Sequence, residues 1–252
     1  MIKAVMFDMG GTLEDLYSDE KNNRNTAHAL YEILVKHGIK PPYEAEELWN
    51  GHVKPGFNEY KKYSEAHMRE LKPEEIWADY AFKGLPVDHD KIAEISEEIA
   101  LMWETTYYDR KLRDHAAEML KGLKEDLGLY VGVISNTGSL FQVFSTLEKY
   151  GVRQYFDDIT LSSLTGYRKP HPHIFETSLR QARLKPEECA YVGDTVSRDV
   201  VGSRKMGYGE VFQIVSFLTP QKDIGDYTGY EPDHKVDDIY DVYTILKKEL
   251  GK

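Results

Sequence analysis

The amino-acid sequence predicts an α/β protein, with an open parallel sheet covered by helices on both faces and a smaller all-α domain. Short apolar runs rich in Val and Ile, each ended by Gly, Asp or Ser, alternate with stretches of helical apolar spacing. One long interval after the first run has helical spacing and no such run. The expected buried strands are residues 4–7, 130–134, 190–192 and 211–215, with 159–162 as a fifth candidate.

Helices are expected between these strands, because apolar residues recur there every three or four positions. The alternation of strands and helices is typical of an open sheet with helices on both faces. The expected helices are residues 116–126, 142–150, 173–182 and 198–206, with an amphipathic helix at 239–250 that closes the chain.

The interval from residue 16 to residue 108 predicts the all-α domain, inserted after the first strand. The rest of the chain, residues 1–15 and 109–252, is then the α/β core. Helical spacing covers residues 25–37 and 90–107, and shorter helices are expected at 43–47, 61–71 and 73–82. Turns are expected at Pro41-Pro42, Pro55-Gly56 and Gly84-Leu85-Pro86.

The composition argues against several classes of function. The 252 residues carry a formal net charge of -11, which repels nucleic-acid backbones and anionic lipid surfaces. The single cysteine, Cys189, excludes an intrachain disulfide and suits a reducing compartment. No apolar run approaches the roughly 20 residues that cross a bilayer, and the N-terminus leads directly into a strand. We expect a cytoplasmic protein that binds neither nucleic acid nor membrane; its oligomeric state is not indicated.

Polar side chains follow several of the predicted strands. Asp8 follows the first strand, Ser135 and Asn136 follow the second, and Asp194 follows the strand at 190–192. Lys169 lies between the fifth candidate strand and the next helix. Because ligands of open α/β sheets bind beyond the carboxyl ends of the strands, these residues are candidates for one site.

The residue types in this set suit phosphoryl transfer with a metal. Asp8 and Asp194 could share Mg²⁺, which favours one or two carboxylates together with substrate phosphate. Asp8 could attack phosphorus, while Lys169 and Ser135 stabilise the negative charge that develops. Taken singly, each residue is more simply a turn former, a helix cap or a surface charge. Four such residues at strand ends favour the functional interpretation.

Four short motifs at these positions resemble those of the haloacid dehalogenase-like hydrolase superfamily. They are FDMGGTL with Asp8, VISN with Ser135, GYRKPHPHIF with Lys169, and GDTVSRD with Asp194 and Asp199. The resemblance implies a Rossmann-like core and an α-helical cap at residues 16–108. It implies Mg²⁺ bound by Asp8, Asp194 and the carbonyl of Gly10, with Asp199 close by. We expect the substrate, a small phosphorylated molecule, to contact the residues Gly11, Ser135, Asn136 and Lys169.

One position departs from the pattern of the family's phosphatases. They carry an aspartate two residues after the nucleophile, where it protonates the leaving group, and this chain has Gly10. General acid catalysis contributes roughly 10²–10⁴-fold, so its loss costs about 3–5 kcal/mol for a basic alkoxide leaving group. The candidates to replace this acid are Glu14, Asp15, His171 and His173. His171 is a second departure, because many relatives have aspartate there.

The leading hypothesis is therefore a phosphatase that acts through an aspartyl-phosphate at Asp8. Gly10 leaves two alternatives open. One is a weak or inactive scaffold that binds a ligand or regulates a partner. The other is an enzyme whose substrates need no leaving-group acid, such as acyl phosphates, phosphonates or haloacids. The acidic motif GDTVSRD favours a metal site, and hence phosphate over halide chemistry.

Overall fold

The computed structural model describes residues 1–217 and 219–252, and these fall into two compact units. The core unit comprises Met1–Leu16, Lys111–Asn136 and Val143–Lys252. The helical unit comprises Tyr17–Arg110 together with Thr137–Gln142. The sequence did not indicate that residues 137–142 belong to the helical unit. That this unit acts as a cap stays a prediction.

The core unit is built on a parallel sheet of six strands, which confirms the predicted fold class. The strands are β1 (Ala4–Phe7), β4 (Tyr130–Ser135), β5 (Asp158–Leu161), β6 (Cys189–Gly193), β7 (Glu210–Ile214) and β8 (His234–Val236), in the order β5-β4-β1-β6-β7-β8. All five expected strands are present. The edge strand β8 was missed because it has only three residues, His234, Lys235 and Val236, and no apolar run.

Register brings the carboxyl ends of the central strands to the same level. Phe7 of β1 lies opposite Val133 of β4 on one side and opposite Val192 of β6 on the other. All four residues of β1 are buried, as expected of a central strand covered on both faces. The residues that directly follow these strands therefore meet at one edge of the sheet.

The helical unit contains five α-helices and two π-helical turns among the described residues. Its α-helices are α1 (Glu20–Lys36), α2 (Ala45–Glu47), α3 (Lys54–His67), α4 (His89–Glu94) and α5 (Ser96–Thr106), and its π turns are Leu48–Val53 and Glu75–Ala81. Two short strands, β2 (Glu14–Tyr17) and β3 (Asp109–Leu112), pair in a separate two-stranded sheet. Within the described residues, no helix combines the length and the apolar composition that crossing a membrane requires.

Helix α1 begins five residues before the predicted start at residue 25, because a capping box precedes it. The Asp19 carboxylate accepts from the Asn22 amide at 2.9 Å, and the Asn22 side chain accepts from the Asp19 amide at 3.1 Å. These bonds satisfy backbone donors that the first turn of a helix leaves unpaired. The polar first turn hid the helix from an analysis based on apolar spacing.

The predicted turn at Pro55-Gly56 is wrong, because α3 starts at Lys54. The predicted helix at 61–71 is present as part of α3, which begins earlier and ends at His67. Pro55 occupies its first turn, where the missing N–H costs nothing. Gly56 lies against a neighbouring segment: a Cβ at this position would be 2.3 Å from the carbonyl oxygen of Tyr80. Both residues are therefore compatible with a helix.

Large aromatic side chains pack among aliphatic residues in the core of the helical unit. Trp49, Trp77 and Phe82 are almost completely buried in it. The Phe57 ring packs against Trp77 with the centroids 5.2 Å apart and against Trp103 at 4.6 Å. These large side chains fill the interior of a small bundle.

The loop at residues 137–142 is held within the helical unit by Glu97 of α5. The Glu97 carboxylate accepts from the Ser139 hydroxyl at 2.5 Å and from the amides of Leu140 and Phe141 at 2.9 and 3.2 Å. A second glutamate of the same helix, Glu104, accepts from the Thr137 hydroxyl at 3.1 Å. These bonds explain why the loop belongs to this unit.

Helices of the core unit occupy the intervals between its strands, as predicted. They are α6 (Ala116–Lys121), α7 (Gln142–Lys149), α8 (Ser162–Thr165), α9 (Pro172–Ala182), α10 (Val201–Met206), α11 (Thr219–Lys222) and α12 (Tyr240–Glu249). The π turn Gly122–Asp126 extends α6 and the π turn Val196–Val200 precedes α10, and 3₁₀ turns lie at Arg153–Tyr155 and Pro186–Glu188.

Candidate active site

Three oxygens surround the ammonium group of Lys169 at the carboxyl edge of the sheet. It donates to Asp8 Oδ1 at 2.6 Å, to Asp199 Oδ1 at 2.8 Å and to the Tyr191 hydroxyl at 3.0 Å. The side chains of Lys169 and Asp199 are each 2% exposed, whereas that of Asp8 is 11% exposed. Of Lys169, Asp199 and Asp8, it is Asp8 that a ligand can reach from solvent.

Mutual pairing keeps the buried charges of this group ionised. Burial opposes the charged form of Lys169, but Asp199 and Asp8 outweigh it and raise the pKa of the ammonium above its ordinary value. Burial likewise opposes the charged form of Asp199, but Lys169 and the hydrogen bonds from Lys169 and Thr195 lower the pKa of this carboxyl below its ordinary value. The site therefore holds a fixed positive charge beside Asp8.

Asp194 follows β6 and carries a half-satisfied carboxylate. Its Oδ2 accepts from the Ser216 hydroxyl at 2.6 Å, and the Lys222 ammonium is 3.6 Å from the same oxygen. Its Oδ1 is buried and has no hydrogen-bond partner among the described residues. Burial raises the pKa of Asp194 to about 6; Lys222 opposes this shift, and Asp8 reinforces it. A buried oxygen without a partner is costly unless a ligand or ion satisfies it.

The three aspartates converge on a region that suits a hard cation. Asp8, Asp194 and Asp199 each offer a carboxylate oxygen, and these oxygens lie within 4.8 Å of one another. The backbone passes close beside them at Gly11, where φ is +96° and a Cβ would be 2.4 Å from Asp194 Oδ2. Only glycine fits this position. Carboxylate oxygens, one of them unpaired, match the ligand preference of Mg²⁺.

Ser135 and Asn136, at the end of β4, have different surroundings. Ser135, the last residue of β4, is 5% exposed. The amide of Asn136 clamps the backbone of Lys169: its Oδ1 accepts from the Lys169 N–H at 2.8 Å, and its Nδ2 donates to the Lys169 carbonyl at 3.2 Å. Asn136 thereby positions the lysine loop. That Ser135, Asn136 and Gly11 contact a substrate stays a prediction.

Asp15, His171 and His173, three candidates for the missing general acid, have structural partners. Asp15 pairs with Arg113 at 3.2 Å. His171 accepts from the His173 amide at the start of α9, at 3.2 Å. The His173 ring lies 3.9 Å from the Glu176 carboxylate.

Glu14 is the fourth candidate, and it is fully buried. Its Oε2 accepts from the Tyr150 hydroxyl at 2.8 Å. Its Oε1 lies 4.0 Å from the point where a side chain on Gly10 would begin. The same point is 2.9 Å from the terminal methyl carbon Cδ1 of Leu16, so a larger residue at position 10 requires Leu16 to move.

Two contributions to the site were missed by the sequence analysis. Tyr191 lies inside an apolar strand, and its hydroxyl reaches both Lys169 and Asp199. The segment after β7 supplies Ser216, Thr219 and Lys222 to Asp194. Nothing in the sequence marked Tyr191 as a site residue. The segment after β7 could have been found, because β7 is adjacent to β6 and ligands bind beyond the carboxyl ends of the strands, which we call the strand-end rule.

Known proteins resemble this chain over nearly its whole length. A family model for haloacid dehalogenase-like hydrolases matches residues 2–207. The glyceraldehyde 3-phosphate phosphatase of Methanopyrus kandleri is 24% identical over 250 residues, which cover 99% of this chain and 96% of that protein. The protein of the same name from Pyrococcus furiosus is 23% identical over 251 residues, 99% of this chain and 95% of that protein.

Among solved structures, a 2-haloacid dehalogenase from Pseudomonas syringae is similar, with a TM-score of 0.67 and 20% identity over 99% of this chain and all of that one. At this identity, the likeness establishes the fold alone. The family model covers most of the chain, including Asp8, Lys169 and Asp194. The chain therefore belongs to the haloacid dehalogenase-like hydrolases.

Proposed function

We propose that the chain is a magnesium-dependent phosphatase that acts on a small phosphorylated metabolite, with Asp8 as the nucleophile. The observation that carries the proposal is the convergence of the Asp8, Asp194 and Asp199 carboxylates, with Asp194 Oδ1 unpaired among the described residues. The buried ammonium of Lys169 pairs with two of these carboxylates, Asp8 and Asp199. The relatives named glyceraldehyde 3-phosphate phosphatase support a phosphate ester as substrate and make that triose phosphate the first metabolite to test.

In the first step, a carboxylate oxygen of Asp8 attacks phosphorus and the bond from phosphorus to the leaving-group oxygen breaks. The product is an aspartyl-phosphate on Asp8. The departing oxygen takes its proton from solvent, because Gly10 has no proton to give. In the second step, water attacks phosphorus, the Asp8 carboxylate leaves, and phosphate is released while the proton of the water passes to solvent.

Lys169 and Ser135 act on the charge in both steps. The Lys169 ammonium orients Asp8 through its 2.6 Å hydrogen bond and offsets negative charge on the phosphoryl oxygens. Asn136 keeps the lysine loop in place through its two bonds to the Lys169 backbone. The Ser135 hydroxyl, at the end of β4, is assigned to a non-bridging phosphoryl oxygen.

The residues proposed to hold Mg²⁺ are Asp8, Asp194 and the carbonyl of Gly10, with Asp199 nearby. The unpaired Asp194 Oδ1 supports this assignment. When bound, the cation supplies positive charge that neutralises the phosphoryl oxygens as the transition state forms. Asp199 is engaged by Lys169 and Thr195, so its role is to hold the lysine and the loop of Asp194.

Gly10 favours a second candidate, a protein that binds phosphate ligands without turning them over. Gly10 is also compatible with a dehalogenase, because halide leaves without a proton. This candidate is weaker, because displacement of halide by a carboxylate does not require a cluster of metal-binding carboxylates. Multiple-turnover hydrolysis that depends on Asp8 would exclude the binding protein.

The decisive experiment is hydrolysis of para-nitrophenyl phosphate with Mg²⁺, for the native chain and for Asp8→Asn. The phenolate leaves without an acid, so Gly10 is no handicap in this assay. We expect Asp8→Asn, and removal of metal by EDTA, each to lower the rate by at least about 10³-fold. The matched control is Asp114→Asn, because the Asp114 side chain is 79% exposed and pairs with Lys111 on the surface. Full activity in Asp8→Asn would refute the proposal.

A further inference from the structure

The segment that follows β7 packs closely around Asp194. The Ser216 hydroxyl donates to Asp194 Oδ2 at 2.6 Å, and the Thr219 hydroxyl donates to the Asp194 carbonyl at 3.0 Å. From the end of the short helix α11, the Lys222 ammonium lies 3.6 Å from Asp194 Oδ2. The segment thus supplies two neutral contacts and one positive charge to this aspartate.

Lys222 is held in this place by the residue that follows it. The two carboxylate oxygens of Asp223 accept from the amides of Val196 and Ser197, at 2.7 and 2.9 Å. Lys222 is therefore flanked along the chain by Thr219 and Asp223, which both contact the loop of Asp194. Its side chain is 24% exposed, so the ammonium is partly removed from water and is less screened than a surface lysine.

The position of this charge matters for any cation at Asp194. A second positive charge at the same carboxylate is repelled by Lys222, and the repulsion is strong where water is partly excluded. When the Asp194 carboxylate binds a cation, part of the favourable interaction energy between Lys222 and Asp194 is also lost. Both effects act in the same direction.

We propose that Lys222 weakens the binding of a divalent cation at the proposed metal site. Its ammonium group competes with the cation for the Asp194 carboxylate. This inference rests on the proposed metal site and adds to it a residue outside the four motifs. The affinity of the site then depends in part on Lys222, which is none of the proposed metal ligands.

The test is the dissociation constant of Mn²⁺, which accepts the same oxygen ligands as Mg²⁺ and is counted as free ion by electron paramagnetic resonance. Lys222→Met removes the charge and keeps the length of the side chain. Lys222→Arg keeps the charge. Lys248→Met, at an exposed position of α12, changes the net charge of the protein by the same amount.

We expect Lys222→Met to bind Mn²⁺ about three- to tenfold more tightly than the native chain. Lys222→Arg and Lys248→Met should stay within about twofold of the native value. Melting curves verify that each variant is folded, and Lys222→Gln replaces Lys222→Met if that variant does not fold. Equal or weaker binding in the neutral Lys222 variant would overturn the inference, and so would the same tightening in Lys248→Met.

Asp194→Asn separates this inference from the proposed function. If the native chain binds one Mn²⁺ and Asp194→Asn abolishes that binding, the metal site stands and the Lys222 variants decide the inference. If Asp194→Asn binds Mn²⁺ as the native chain does, the proposed metal site is wrong and the inference falls with it.

Discussion

Lys169 shows how this site keeps a lysine charged in a buried position. Moving an isolated ammonium out of water costs several kcal/mol, and two carboxylates and a hydroxyl offset that cost here. Removal of Lys169 would leave Asp8 and Asp199 as neighbouring carboxylates without their shared cation. The residue therefore serves both the stability of the core and the proposed chemistry.

Gly10 leads to a prediction about leaving groups. We expect Gly10→Asp to raise the rate on alkyl phosphates by about 10²-fold, and to change the rate on para-nitrophenyl phosphate much less. An added carboxylic acid protonates an alkoxide, whereas a phenolate leaves without help. The measurement is kcat/KM for one alkyl and one phenyl ester in the native chain and the variant.

The design of this variant must account for Leu16. Its Cδ1 is 2.9 Å from the Cβ that the new aspartate would carry, and it is the flexible end of a side chain. Gly10→Asp is therefore compared with Gly10→Asp/Leu16→Ala and with Leu16→Ala alone. Equal gains in kcat/KM on both esters would contradict the hypothesis that position 10 is where the general acid is missing.

At the scale of single residues, the strand-end rule located Asp8, Lys169 and Asp194, which the structure brings together. Their positions after strands were visible in the order of the residues alone. Tyr191 and Lys222 were missed, although the same rule also applied to the segment after β7 that carries Lys222. Tyr191 reads as one more apolar residue of β6, and Lys222 reads as one of many surface lysines.

At the scale of elements, the apolar pattern predicted which segments are helices better than where they begin. The predicted helix at 90–107 is divided at Ile95 into α4 and α5. The Asp88 side chain caps α4 by accepting from the Lys91 amide at 3.2 Å. Ends of this kind depend on hydrogen bonds of polar side chains, which apolar spacing does not report.

Gly56 provides a test of packing between elements of the helical unit. We expect Gly56→Ala to lower the free energy of unfolding by about 1–3 kcal/mol, because the added methyl group would meet the backbone carbonyl of Tyr80. Backbone atoms cannot move aside as a side chain can. Thermal or urea denaturation measures the change.

Gly51→Ala is the matched control for this variant. Gly51 lies in the π turn Leu48–Val53, and a Cβ there meets no described atom within 4 Å. Alanine should be neutral or slightly stabilising at this site, since it has the better helix propensity. Equal destabilisation by the two substitutions would show that the contact with Tyr80 is not the cause.

At the scale of the whole molecule, the chain passes between the two units four times, after residues 16, 110, 136 and 142. The last two passages enclose the loop that directly follows Ser135 and Asn136. Glu97 binds this loop through three hydrogen bonds. The helical unit is therefore more than an insertion at one point of the chain.

Glu97→Ala should release this loop. Hydrogen bonds to an ionised acceptor contribute about 1.5–3 kcal/mol each, so we expect the amides of Leu140 and Phe141 to exchange with solvent at least about tenfold faster. Glu98→Ala is the control, because Glu98 lies on the same helix and pairs with Lys36 and His37 instead. Unchanged exchange in Glu97→Ala, measured by mass spectrometry or NMR, would show that the loop is held by other contacts.

The sequence by itself determined the parallel sheet, the helical insertion and the strand ends at which the polar residues gather. Each of these is a local property, since it depends on the spacing of apolar residues and on the residue that follows each run. Tertiary structure alone decided that Asn136 clamps the Lys169 backbone, that Lys222 faces Asp194 and that residues 137–142 join the helical unit. These contacts join segments that are far apart in the chain. Hydrogen bonds and ion pairs between such segments produce no periodic pattern in the sequence, so the spacing of apolar residues cannot predict them.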